Sequence, residues 1–194
     1  MLRTKIKYTF ADLQTIPPEH ELIYDLLGGD LFVNMSPTDA HAAVVGELLY
    51  FLMEAERAGY GWARTAPRAV AFDFQEHGVN AMDVTHPDVF FVSKGRRAIM
   101  GHQCVEAAPD LVIEVLSPST RADDLPGGRK FAIYERYGVA HYWIVDTDAR
   151  IITQYAWHEG RLHQSAVLTE ADTLSSPLFP SITRPVREIF SAIL

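Results

Sequence analysis

The 194-residue chain is 48% hydrophobic and 22% charged, with a formal net charge of −8, a composition that sustains one buried core and calls for no second. Its acidic balance argues against binding nucleic acid by bulk electrostatics, which needs clustered Lys and Arg. No apolar run approaches the roughly 20 residues of a membrane span, residues 1–10 lack the apolar stretch of a secretory signal, and the single Cys104 cannot form an internal disulfide.

A cytoplasmic chain with no membrane partner is therefore expected, with Cys104 as a small semi-buried side chain. The charge is uneven: residues 1–87 hold six basic and twelve acidic side chains, whereas residues 88–137 hold seven of each.

In chain order, a single domain spanning 1–194 is expected, with residues 1–35 as an amino-terminal extension packed on its core. Ser36 can cap a helix, Pro37 suits its first position and Asp39 complements its positive end, so a helix is predicted to about residue 57. His41 falls on the same helical stripe as Val45, Leu48 and Leu52 and points towards the body of the protein. It is either a hydrogen-bonded core residue or part of a site. Glu47 lies on the flank, where solvation is its default.

Val70, Phe72 and Phe74 alternate with smaller or polar residues and predict a strand over 68–74, and residues 75–82 read as a turn. The strand Pro87-Asp88-Val89-Phe90-Phe91-Val92 follows, then a loop over 93–108, then Leu111-Val112-Ile113-Glu114-Val115-Leu116, ended by Ser117-Pro118-Ser119. Residues 123–129 form a charged, Gly-containing loop. A helix over 130–137 sets Lys130, Ile133, Tyr134 and Tyr137 on one face, with Gly138 as its cap. Residues 142–146 and 151–155 are strands joined by a hairpin, with Tyr142 and Trp143 as core. The order predicts a mixed sheet with helices packed on it.

Two of these strands carry an acid where an apolar residue packs better, Asp88 and Glu114. Glu114 shares a face with Val112 and Leu116, whereas Asp88 has a plainer reading as a turn cap, and Asp110 and Asp146 read as solvated strand ends. A carboxylate moved away from water loses several kcal/mol unless a cation or hydrogen bonds compensate. Mg2+ prefers one or two carboxylates plus waters and substrate oxygens, and phosphodiester hydrolysis needs such a cation. Lys130, on an inward helical face, is the candidate for charge stabilisation; the alternative is a snorkelling stem with its ammonium in water. Ser117 and Ser119 lack the Gly-x-Ser-x-Gly elbow of a serine hydrolase.

Ser36-Pro37 with His41, Pro87-Asp88, the run from Pro109 to Ser119, Lys130 with Tyr134, and Gly138-Val139 with Tyr142-Trp143-Ile144-Val145-Asp146 occur here in one order and spacing. In this the chain resembles the Uma-two family of restriction-endonuclease-like proteins, within the PD-(D/E)XK nuclease superfamily. The resemblance implies an α/β (α+β) fold, a mixed central sheet flanked by helices, of core order αβββαβ with an added hairpin strand. It implies Mg2+ (or Mn2+) held by Asp88, Glu114 and the backbone carbonyl of Val115. The superfamily lysine two residues after the acid is replaced by Leu116, so its role passes to Lys130. His41 and Asp30 would be supporting residues; Asp124 matches an acid that in relatives sits closer to the lysine, the gap here being lengthened by Gly127 and Gly128. DNA as substrate and a homodimer are implied too. Two further readings stand beside a DNA endonuclease: a non-catalytic binding or regulatory protein on the same fold, and a metal-dependent hydrolase of another small phosphorylated substrate.

Overall fold

A computed structural model describes residues 6–17, 22–34 and 38–193. The chain runs α1 (Phe10–Leu13), β1 (Ile23–Leu27), β2 (Asp30–Asn34), α2 (Asp39–Arg57), β3 (Gly61–Thr65), β4 (Val70–Ala71), α3 (Phe74–His77), β5 (Val84–Thr85), β6 (Val89–Ser93) and β7 (Leu111–Val115). It continues with α4 (Arg121–Asp124), α5 (Arg129–Arg136), β8 (His141–Asp146), β9 (Ile151–His158), β10 (Arg161–Leu168), β11 (Thr173–Ser175), β12 (Thr183–Pro185) and α6 (Val186–Ile189).

One sheet, ordered β10-β9-β8-β7-β6-β3, forms the centre, and within it only β7 and β8 are parallel. That single parallel pair needs a crossover connection, which α4 and α5 supply. The expected order αβββαβ is thus met by α2, β3, β6, β7, α5 and β8, with β9 as the added hairpin strand and β10 beyond it. A second sheet, β2-β1-β5-β4, is made largely from the amino-terminal hairpin, and β11 and β12 form a ribbon.

Strand periodicity divides the side chains of the central sheet between two cores. Phe91, Leu111, Ile113, Trp143 and Val145 face α2 and α6, where Val44, Leu48, Phe51 and Leu52 meet them. Phe90, Val112, Tyr142 and Ile144 face the other way, against Phe131, Ile133 and Tyr134 of α5. Tyr142 and Trp143 are core residues, one on each face, as their strand predicts.

The first core strand differs from expectation: it is β3, not residues 68–74. Its inward residues are Gly61 and Ala63, too small to leave an apolar alternation in the sequence. Gly61 is required there, because a Cβ would lie 2.1 Å from the Val92 carbonyl oxygen. Within 68–74 only Val70 and Ala71 join a ladder, while Phe72 stacks near Tyr134 and Phe74 opens α3. Asp110 is buried rather than solvated; it accepts from the Ser93 amide (2.7 Å) and pairs with Arg96 (3.2 Å). Glu47 likewise has a partner in Arg184 (3.2 Å).

Ser36 and Pro37 lie outside the described residues, and the cap of α2 is Thr38, whose hydroxyl accepts from the His41 amide at 3.3 Å. Thr38→Ala should lower stability by about 1 kcal/mol, read as a shift in the urea midpoint at unchanged slope. A loss below about 0.3 kcal/mol would mean that water replaces the cap.

Candidate active site

The register that builds the central sheet also builds the site. Val89 lies opposite Ile113 and Phe90 opposite Val112 on antiparallel β6 and β7, and Asp88, immediately before β6, comes to lie beside Glu114. Like charges so placed repel. The backbone absorbs part of the cost: the Val115 amide donates to Asp88 Oδ2 (2.8 Å) and the Asp88 amide to Glu114 Oε2 (3.3 Å). Thr65, at the end of β3, donates its hydroxyl to the Asp88 carbonyl.

From α2, the His41 ring reaches the same carboxylate, with Nε2 3.1 Å from Asp88 Oδ2. Helical spacing on α5 brings Lys130 and Tyr134 to Glu114, whose Oε1 accepts from Lys130 Nζ (3.2 Å) and from the Tyr134 hydroxyl (2.5 Å). Lys130 is only 4% exposed, so its ammonium does not snorkel into water. It lies 3.7 Å from Asp124 Oδ1 and 3.4 Å from Asp25 Oδ2.

Asp124 reaches the lysine because α4 packs tightly against the start of α5. At Gly128 a Cβ would meet the Ala122 and Asp123 carbonyls at 2.3 and 2.4 Å, so only glycine allows this approach. The Tyr142 hydroxyl then fixes the end of α4 by donating to the Asp124 carbonyl (2.9 Å).

Asp30 is placed elsewhere, at the β1–β2 turn, paired with Lys7 (2.9 Å) and outside the pocket lining. The acid that the amino-terminal hairpin does deliver is Asp25, which sequence reasoning missed. It accepts from Asn34 Nδ2 (2.7 Å) and the His86 amide (2.9 Å) and faces the His86 ring. Its signal was present: in Ile23-Tyr24-Asp25-Leu26-Leu27 an acid interrupts an apolar run, as Glu114 does.

His41, Thr65, His86, Asp88, Glu114 and Lys130 are among the residues lining a pocket of about 290 Å³. Burial would depress the Lys130 ammonium, but Glu114, Asp25, Asp124 and Asp88 outweigh it and hold the group well above its ordinary value. Burial pushes the Glu114 carboxyl well up, with Asp124 and Asp88 adding to it and Lys130 opposing. Asp124 is raised for the same first reason. Burial also works against the charged form of Asp25, yet Lys130 and His86 keep its carboxyl below the usual range. His41 is raised: burial disfavours its charge, but the Asp88 carboxylate and the Val115 carbonyl overcome that.

Three carboxylates therefore lie within 4 Å of one lysine, with the Asp88 charge acting from further away, an excess of negative charge that burial makes costly. Both oxygens of Asp124 and Nδ1 of His41 are buried without a hydrogen-bond partner among the described residues. Among the described residues no three His, Cys, Asp or Glu side chains form a self-contained metal cage. Asp88 and Glu114 nevertheless match the one or two carboxylates that a hard divalent cation such as Mg2+ takes, its shell being completed by waters and substrate oxygens. The donor set and its surplus charge both suit that ion.

None of the curated proteins matches the chain. Among solved structures, a protein from Anabaena variabilis described as "a putative nuclease belonging to DUF820" superposes with a TM-score of 0.73 at 18% identity, covering 96% of this chain and 99% of that one. This likeness shows the restriction-endonuclease-like fold. The model of the Uma2 family, described as "Putative restriction endonuclease", matches residues 10–187, and the chain belongs to that family.

Proposed function

We propose that this protein is a metal-dependent endonuclease that hydrolyses phosphodiester bonds, with DNA as its substrate. The observation that carries the reading is the pair Asp88 and Glu114 in a pocket shared with Lys130. Asp88, Glu114 and the Val115 carbonyl would hold Mg2+ or Mn2+, which when bound lowers the pKa of a coordinated water and offsets charge developing on the phosphate.

The chain's own groups divide the remaining work. His41 and the Val115 amide fix the orientation of Asp88, and Tyr134 fixes that of Glu114. Lys130 stays protonated beside Glu114 and supplies a preorganised positive charge where the substrate's phosphate enters. His86 and Asn34 hold Asp25 against the ammonium and so set the position of Lys130.

Family membership supports a nuclease; the metal, the residue roles and the choice of DNA are the proposal. A homodimer, which would set two pockets across one duplex, belongs to it as well and is testable by sedimentation. The chain's formal charge of −8 favours the second reading, a non-catalytic regulatory protein that keeps the nuclease fold.

Metal binding separates the two. An ion held only by the folded state at about 100 times its Kd adds about 2.7 kcal/mol, which for a chain of this size raises Tm by roughly 5–10 °C. Millimolar Mn2+ should produce that rise in the wild type and much less in Asp88→Asn, with plasmid cleavage in parallel. An unchanged Tm and intact plasmid would favour the regulatory reading.

A further inference from the structure

The pocket does not end at the carboxylates. Thr65 and Ala66, which line it, also line a neighbouring recess on the α2 side of β3, with Leu49, Met53, Glu56, Arg64 and Arg68. Arg64 and Arg68 in turn line a further recess of about 270 Å³, with Trp62, Arg97, Met100 and Gly101. These recesses adjoin in a track that passes from the α2 side around β3, the edge strand of the central sheet.

Register fixes the side of the sheet on which the last recess lies. Trp62 is paired with Val92 and Arg64 with Phe90, and cross-strand partners share a face. Phe90 lies opposite Val112, which shares a face with Glu114 of the same strand, so Trp62 and Arg64 lie on the Glu114 face of the sheet.

Charge along the track is positive in a chain that is otherwise acidic. The Arg68 guanidinium donates to the carbonyls of Gly101, His102, Gln103 and Cys104, which holds the wall of the recess; among the described residues no carboxylate pairs with it. Arg97 lies over the Trp62 ring at 5.5 Å, and among the described residues neither it nor Lys94 forms an ion pair with an acid. Arg64 is balanced by Glu56 (3.1 Å) and Arg96 by Asp110 (3.2 Å). Glu106 stands against Gly101 and offsets part of the excess.

We propose that the recess of Trp62, Arg64, Arg68 and Arg97 binds a backbone phosphate of the nucleic acid that flanks the scissile bond. The inference rests on the nuclease reading of the carboxylate pocket, and it adds a docking point that sets the substrate's direction across the sheet. The stacked Trp62 ring holds the Arg97 guanidinium over the recess, and Arg68 contributes charge from a fixed position. Since phosphate contacts release counterions, each one steepens the salt dependence of binding.

The test uses the full-length protein, a fluorescein-labelled 20-base-pair DNA duplex and anisotropy in EDTA across a salt series. Arg97→Glu should weaken binding at least ten-fold and lower the slope of log K against log salt by about 1. Arg187→Glu, the same charge change on α6, should shift Kd less than two-fold, and circular dichroism should show both variants folded. Equal affinity and slope for Arg97→Glu and wild type, equal losses in the two variants, or no binding by the wild type at low salt would each overturn the proposal. Cleavage is read separately with Mn2+. Its absence, with the Arg97 effect intact, would count against the nuclease reading and leave the phosphate site standing.

Discussion

Lys130→Met is expected to cost about 3–5 kcal/mol of stability, the penalty for leaving buried charge without its partner, and to abolish cleavage. Met keeps most of the packing of the lysine stem and removes only the ammonium, so Asp25, Glu114 and Asp124 lose the cation 3.4, 3.2 and 3.7 Å away. The deficit should depend on pH with a defined sign. Without the ammonium, all three folded-state carboxyl groups rise relative to the unfolded chain. A carboxyl that is raised on folding favours the folded state below its unfolded value and loses that advantage as pH climbs through its folded one. The variant should therefore recover on going from pH 8 to pH 5. Urea denaturation at the two pH values measures this, and the double variant Lys130→Met/Glu114→Gln should regain part of the loss. A deficit under about 1 kcal/mol that ignores pH would mean that Lys130 is not the counter-ion of this cluster.

Glu114→Gln should separate stability from activity. Gln keeps the shape of the side chain and an oxygen that can accept from Tyr134, but not the charge a cation needs. Cleavage should fall by at least about 10²-fold, the scale for removing one electrostatic element of an active site. Metal-free stability should move the other way. Burial holds the Glu114 carboxyl well above its ordinary value of 4.5, so the folded wild type binds more protons than the unfolded chain and becomes less stable as pH rises above that value. The Gln variant lacks this slope and should equal or exceed the metal-free wild type at pH 8. Saturating Mn2+ should reverse the order, because the ion replaces the proton in the wild type and finds no ligand in the variant. A variant that is less stable than wild type at pH 8 without metal would show that the Glu114 charge contributes net stability to the fold.

Both expectations concern residues that the sequence already singled out, and the reason is physical. An acid inside an apolar strand is a local anomaly, and Glu114 and Lys130 each sit on an element whose period shows which way it faces, while Asp88 directly precedes β6. Register, which the sequence does not display, brought the two acids side by side. Asp25 has the same local signature but lies in a short hairpin whose partner, β5, is only two residues long. Asp30 drew attention instead because the family comparison pointed to that position. The arrival of Asp124 depended on a helix–helix approach that Gly128 permits, a close backbone contact with no apolar pattern to announce it. β3 was missed for a similar reason, since an inward face of Gly61 and Ala63 carries no hydrophobic signal.

The Asp25–Lys130 contact joins residues about a hundred positions apart, and it comes from a hairpin outside the αβββαβ core. Contacts that close long stretches of chain carry the greater entropic cost and form late. The six-stranded sheet can thus assemble while its carboxylates are still hydrated and Lys130 is still open to water on the hairpin side. Docking of β1 then seals them together, so the charges are buried only once their counter-ion is in place. The hairpin is in this sense a closing piece, and any partial opening of the molecule that lifts it away rehydrates the acidic cluster while leaving the central sheet whole.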